Sequence, residues 1–133
     1  MKDIKWSDLP FGYLKTDYNI RCYWRNGNWG ELEISSSEFF EIHIAATGLH
    51  YGQEAFEGLK AFMGKDGKVR IFRWIENYKR MLSSAEGILM APVTENLFKK
   101  AVFKAVSLNQ EYIPPYGTGE SLYIRPLLIG SGA

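Results

Sequence analysis

The sequence predicts an α+β domain, and three observations carry the prediction. Two hairpin patterns come first along the chain, two stretches of helical periodicity follow, and one strand-like run closes it. Strands and helices are thus segregated, not alternated as a doubly wound sheet requires. The 133 residues fit one domain, and 46% hydrophobic with 15% aromatic residues are enough for a core.

Residues 19–35 read as the first hairpin. Strand-like runs at 20–25 and 29–34 flank Asn26-Gly27-Asn28, a sequence able to take positive φ. Residues 41–46 look strand-like as well. A second hairpin covers 59–72, turning at Gly64-Lys65-Asp66-Gly67, and its second strand alternates polar and apolar residues. Ile75, Tyr78, Met81, Leu82, Ala85 and Leu89 then recur at helical steps of three and four. Gly87 within that pattern is unfavourable to helix by about 1 kcal/mol relative to Ala and marks a candidate early end. Pro92 stops the pattern in any case. Thr94 is placed to cap a second helix, with Glu95 in its first turn and Leu97, Phe98, Ala101, Val102, Ala105 and Val106 as its apolar stripe. Pro114-Pro115-Tyr116-Gly117 breaks that stripe. Residues 121–130 form the last strand. It stops soon afterwards at Ala133, which reads either as a cut within a longer protein or as a naturally short C-terminus.

Charge excludes one class of function. Sixteen basic and fifteen acidic side chains leave a net +1, with no Lys/Arg block, so a nucleic-acid partner is not expected. The single cysteine, Cys22, permits neither an intrachain disulfide nor a Cys-based metal site and reads as a small apolar strand residue. No metal site is assigned. No apolar run approaches the roughly 18 residues needed to span a bilayer, and residues 1–6 contain no signal-peptide core, so a cytoplasmic location and no membrane partner are expected.

Several polar residues stand out. Tyr123 and Arg125 are two apart on a strand and share a face, where an Arg beside an aromatic hydroxyl can bind a carboxylate. The alternative is an Arg at a strand end paired with a local acid. Pro126 marks an edge or end of that strand. Arg80 directly precedes Met81 and so lies at the border of the buried helix face. It can reach a phosphate or lie on the surface with its stem packed. The run from His50 to Phe62 holds Gly52 and Gly58, which allow a bend or close backbone approach, and Glu54 and Glu57. His50 and His43 have no neighbouring nucleophile and read as structural.

Taken together, His50-Tyr51-Gly52…Phe56-Glu57-Gly58-Leu59-Lys60-Ala61, Asn77-Tyr78-Lys79-Arg80-Met81-Leu82-Ser83-Ser84-Ala85 and Leu122-Tyr123-Ile124-Arg125-Pro126 resemble the motifs of branched-chain amino-acid aminotransferases, in order and at family-like spacing. Leu9-Pro10-Phe11-Gly12 also fits. These are fold-type-IV enzymes dependent on pyridoxal 5′-phosphate (PLP). The resemblance covers residues 1–133 and implies the small N-terminal domain alone, a largely antiparallel sheet with helices packed on it.

The resemblance implies roles for individual residues. Arg80 matches the arginine that contacts the PLP phosphate. Phe11, Tyr51, Phe56 and Tyr123 match the wall of the substrate side-chain pocket. Arg125 matches a residue that would bind the second carboxylate of glutamate. Glu57 is expected to support the site or hold its loop. No catalytic residue is assigned. The lysine that bonds PLP belongs to the large domain, and Lys60 is not that lysine, so the chain alone is expected to be inactive and not to retain PLP. Implied partners are branched-chain amino acids, glutamate and their 2-oxo acids, with a homodimer as the full-length form. Two other readings are another fold-type-IV enzyme, such as a D-amino-acid aminotransferase or aminodeoxychorismate lyase, and a non-catalytic interaction module.

Overall fold

The computed structural model describes residues 2–9 and 12–133. Phe11, an expected pocket residue, lies outside the described residues. After a 3-10 turn at Trp6–Asp8 come β1 (Asn19–Arg21), β2 (Trp24–Arg25), β3 (Asn28–Trp29) and β4 (Glu33–Ser35). The short helix α1 (Thr47–His50) leads to β5 (Glu54–Phe56), β6 (Leu59–Met63) and β7 (Val69–Ile71). Helices α2 (Trp74–Gly87) and α3 (Glu95–Leu108) follow, then β8 (Leu122–Ile124) and β9 (Leu127–Ile129). Every strand pairing among the described residues is antiparallel, so the α+β class stands.

The first hairpin turns on Asn26 (φ 53°) and Gly27 (φ 81°), the two positive φ values that a two-residue type I′ turn needs. Its ladder is interrupted, because Arg21 pairs with Glu33 but Trp24 pairs with Trp29. Two residues thus face three, a bulge at which the Gly30 N–H donates to the Tyr23 carbonyl and the Cys22 thiol to the Gly30 carbonyl. Residues 41–46, expected as a strand, are instead a turn region. The His43 ring nitrogen Nδ1 accepts from the Ala45 N–H and the His43 carbonyl from the Ala46 N–H, which closes the chain on itself.

Helix α2 ends at Gly87, as that residue suggested. Leu89, expected on the buried stripe, is instead 90% exposed with φ 58°. The cause is the helix terminus. The Leu89 N–H donates to the Glu86 carbonyl and the Met90 N–H to the Ala85 carbonyl, a Schellman closure with a leucine in the left-handed position usually given to glycine. Helix α3 begins where expected, the Thr94 hydroxyl accepting from the Leu97 N–H at 3.1 Å.

The expected single strand at 121–130 is two strands, broken at Arg125-Pro126. Proline has no N–H to donate there. The break is matched on the partner, between β5 and β6 at Glu57-Gly58. Yet the register runs through unchanged, from Phe56 opposite Leu127 to Leu59 opposite Ile124. The Glu57 N–H still donates to the Pro126 carbonyl at 3.0 Å. β5–β6 and β9–β8 therefore form one ribbon with an interruption in the middle. Its inner face places Leu59 and Leu128 in a core with Met81 and Ala85 of α2 and Phe98 and Val102 of α3. Ala61 joins Val106 and Ile113 in a smaller cluster. Its outer face leaves Phe56, Tyr123 and Leu127 about half exposed or more.

Candidate functional site

Three consecutive residues at the interruption, Phe56, Glu57 and Gly58, organise the polar contacts on both faces. Strand alternation sends Phe56 outward and Glu57 inward. Gly58 is required where it stands, since a Cβ there would strike the Tyr123 hydroxyl and lie 2.8 Å and 2.9 Å from the ring carbons Cζ and Cε2. The absent side chain is what lets the Tyr123 ring lie across the backbone. Gly52 serves differently, with φ 62° and open space around it.

On the outer face, Arg125 stacks over the Phe56 ring at 4.4 Å from its centre. Its Nε and Nη2 donate to the Tyr123 hydroxyl at 3.3 and 3.1 Å. The shared face expected of Tyr123 and Arg125 is present, and among the described residues no acid pairs with Arg125. The Tyr123 hydroxyl accepts here, so its own proton remains available to another acceptor. The guanidinium is held by π contacts and a neutral oxygen, weaker restraints than a carboxylate.

On the inner side, Arg80 meets a carboxylate. Its Nε donates to Glu57 Oε1 at 3.0 Å and its Nη2 to Glu57 Oε2 at 2.7 Å, a bidentate pair. Asn77, one turn earlier on α2, donates from Nδ2 to Glu57 Oε2 and to the Gly58 carbonyl, both at 3.0 Å. Glu57 and Asn77 are buried at 7% and 8% exposure, while the Arg80 side chain is 67% exposed. The Arg80 guanidinium first, then the Asn77 amide, holds the Glu57 carboxyl below the ordinary glutamate value against the opposing effect of burial. Arg80 is raised in turn by the same contact. Of five guanidinium N–H donors, Glu57 takes two and leaves three.

Tyr51 stands apart from both groups. It is 83% exposed and lines a shallow depression of about 320 Å³ with Thr47, Gly52, Gln53 and Ile88. His50 has a structural contact, Nε2 to the Ile44 carbonyl at 2.7 Å. Lys60 is exposed on β6, opposite Tyr123. Asn77 is the site residue that the sequence reading missed. Its signal was available: it lies four residues before Met81 and eight before Ala85, on the stripe that α2 buries, where an amide needs a partner.

Sequence comparison relates the chain as a whole to known proteins. The chain is 45% identical to the branched-chain-amino-acid aminotransferase of Haemophilus influenzae over 132 residues, 99% of this chain and 38% of that protein. Against the Helicobacter pylori enzyme of the same name it is 41% identical over 99% of its length and 39% of the relative's. The chain is homologous to branched-chain aminotransferases. It spans little more than a third of their length. No family model matches it. Its fold superposes with a TM-score of 0.60 on the crystal structure of the branched-chain aminotransferase from Thermoproteus uzoniensis with norvaline, at 28% identity, over 85% of this chain and 34% of that one. Antiparallel strands with helices packed on them are thus an architecture shared with these aminotransferases.

Proposed function

We propose that this chain forms the small N-terminal domain of a cytoplasmic, homodimeric, PLP-dependent aminotransferase that exchanges amino groups between leucine, isoleucine or valine and 2-oxoglutarate. The observation that carries the reading is the outer cluster of Phe56, Tyr123 and Arg125, an aromatic wall with one movable cation at its rim. Aromatic surface suits aliphatic side chains, whose burial is worth about 1.5–3 kcal/mol each. The norvaline in the Thermoproteus structure, a linear aliphatic amino acid, supports such a pocket. Phe11 and Tyr51 are assigned to the same wall by family resemblance.

The residues present fit PLP at its phosphate. Arg80 is exposed, held in place by Glu57, and has N–H donors left over. Bound PLP supplies the electron sink through which an amino group leaves the donor and later joins a 2-oxo acid. Arg80 donates hydrogen bonds to the phosphate and sets its orientation. Phe56 and Tyr123 exclude water from the substrate side chain. Arg125 pairs with the side-chain carboxylate of glutamate or 2-oxoglutarate, and rests on Tyr123 when the side chain is aliphatic. The lysine that bonds PLP is supplied from outside residues 1–133, so the isolated chain has no transaminase activity and does not retain PLP.

The test is Arg125→Ala in the full-length enzyme. Its kcat/KM for glutamate and 2-oxoglutarate is expected to fall at least about tenfold more than that for leucine, the effect of one lost charge-assisted contact. Equal losses for both substrate types reject the assignment.

A further inference from the structure

We propose that Glu57, secured by Asn77, is the positioning residue of Arg80: the buried carboxylate fixes the guanidinium plane so that its unused N–H groups meet a phosphate ester already aligned. The inference rests on the reading of Arg80 as the phosphate-binding residue and adds to it the means by which that residue is held.

Glu57 is fixed from three directions. Its backbone N–H is tied to the Pro126 carbonyl in the ribbon, its Oε2 receives the Asn77 amide, and both oxygens receive Arg80. Asn77 is fixed in turn by the Gly58 carbonyl. An exposed arginine otherwise loses substantial side-chain freedom when it binds, and a preformed bidentate clamp removes that cost beforehand. One effect opposes the clamp, because the charge of Glu57 offsets that of Arg80 and weakens its attraction for an anion. Donor geometry favours positioning. Glu57 occupies Nε and one N–H of Nη2, leaving Nη1 and the second Nη2 N–H as an adjacent pair. The two effects have opposite signs in experiment.

The experiment uses the full-length enzyme stripped of cofactor, with PLP rebinding followed by absorbance and the bound phosphate by 31P NMR. Positioning requires Glu57→Gln to bind PLP about tenfold more weakly and to shift the 31P resonance. A purely structural role for Glu57 lowers thermal stability and leaves the 31P signal of the bound cofactor where it was. Binding that is unchanged or tighter, or an unmoved resonance, overturns the proposal. Asn77→Ser retains the Glu57–Arg80 pair but loses the amide that steadies it. A smaller loss in the same direction is expected, and this variant decides the matter if Glu57→Gln does not fold. Arg80→Ala separates the two layers. If Arg80→Ala weakens PLP and Glu57→Gln does not, positioning fails and the phosphate reading stands. If Arg80→Ala leaves PLP affinity unchanged, the phosphate reading itself fails and the proposal with it.

Discussion

The two arginines beside the interruption in the ribbon are held in opposite ways. Arg80 is clamped by a buried carboxylate through two charge-assisted bonds, whereas Arg125 rests on an exposed phenol and an exposed phenyl ring. Under the function proposed above, the difference teaches how one ribbon can serve two anions. A phosphate that is present in every turnover is best met by a rigid donor. A carboxylate present on only some substrates is best met by a cation that can leave its resting place at little cost.

The largest expected effect comes from breaking the rigid side. Glu57→Ala removes the bonds to Asn77 and Arg80, and should cost about 2 kcal/mol in chemical denaturation, with the exposed Arg80 recovering much of its part by hydration. The same contact should show in acid. The pKa of the Glu57 carboxyl is lowered in the folded state, so its contribution is complete above the ordinary glutamate value of 4.5 and is lost as pH falls through the lower folded value. In Glu57→Gln, stability should vary less over that acid window than in the parent, and an unchanged pH slope would show that the clamp contributes nothing.

Next in size is Gly58→Ala. The added Cβ displaces the Tyr123 ring, at an expected cost of about 1–2 kcal/mol, because the half-exposed ring can yield. Ring resonances of Tyr123 and Phe56 should shift while those of Asn77 stay in place. Movement of the Asn77 resonances would mean that the two faces are not independent. Leu89→Gly, remote from both arginines, relieves a left-handed leucine that is 90% exposed and should raise stability by up to about 1 kcal/mol. It serves as the control in which stability changes and neither arginine does. Arg125→Ala should be smallest, within about 0.5 kcal/mol in denaturation, as for most exposed residues. A loss as large as that of Glu57→Ala would erase the contrast between the two sites.

Local signals were the legible ones. Asn26-Gly27 announced its turn, Thr94 its cap, Gly87 the end of its helix and Pro126 a strand end, because each acts through the backbone within a few residues. The motif pattern named Arg80, Phe56, Tyr123 and Arg125. What stayed hidden depends on how distant elements meet. Nothing in the residues near Glu57 reveals that α2 brings Arg80 and Asn77 against it. Nor does the spacing of Leu89 reveal that the terminus of α2 turns it out to solvent. The bulge opposite Cys22 and Tyr23 follows from a register that only the paired strands disclose. The break at Pro126 was readable, but not its partner at Glu57-Gly58, which interrupts both strands at the same place.

That continuous register across the interruption has a consequence for how the protein can change. Odd positions from 55 to 61 face the helices and even ones face away, so the two sites are read from one strand as from a single reading frame. Inserting or deleting one residue between Glu54 and Ala61 would exchange the faces beyond it, separating Glu57 from its alternation with Phe56 or sending Leu59 into water. A substitution there alters the contacts of one side chain, whereas slippage exchanges the faces of all that follow. Natural variation in substrate choice on this scaffold should therefore accumulate as point changes in the strand, and length changes should be confined to its flanking loops.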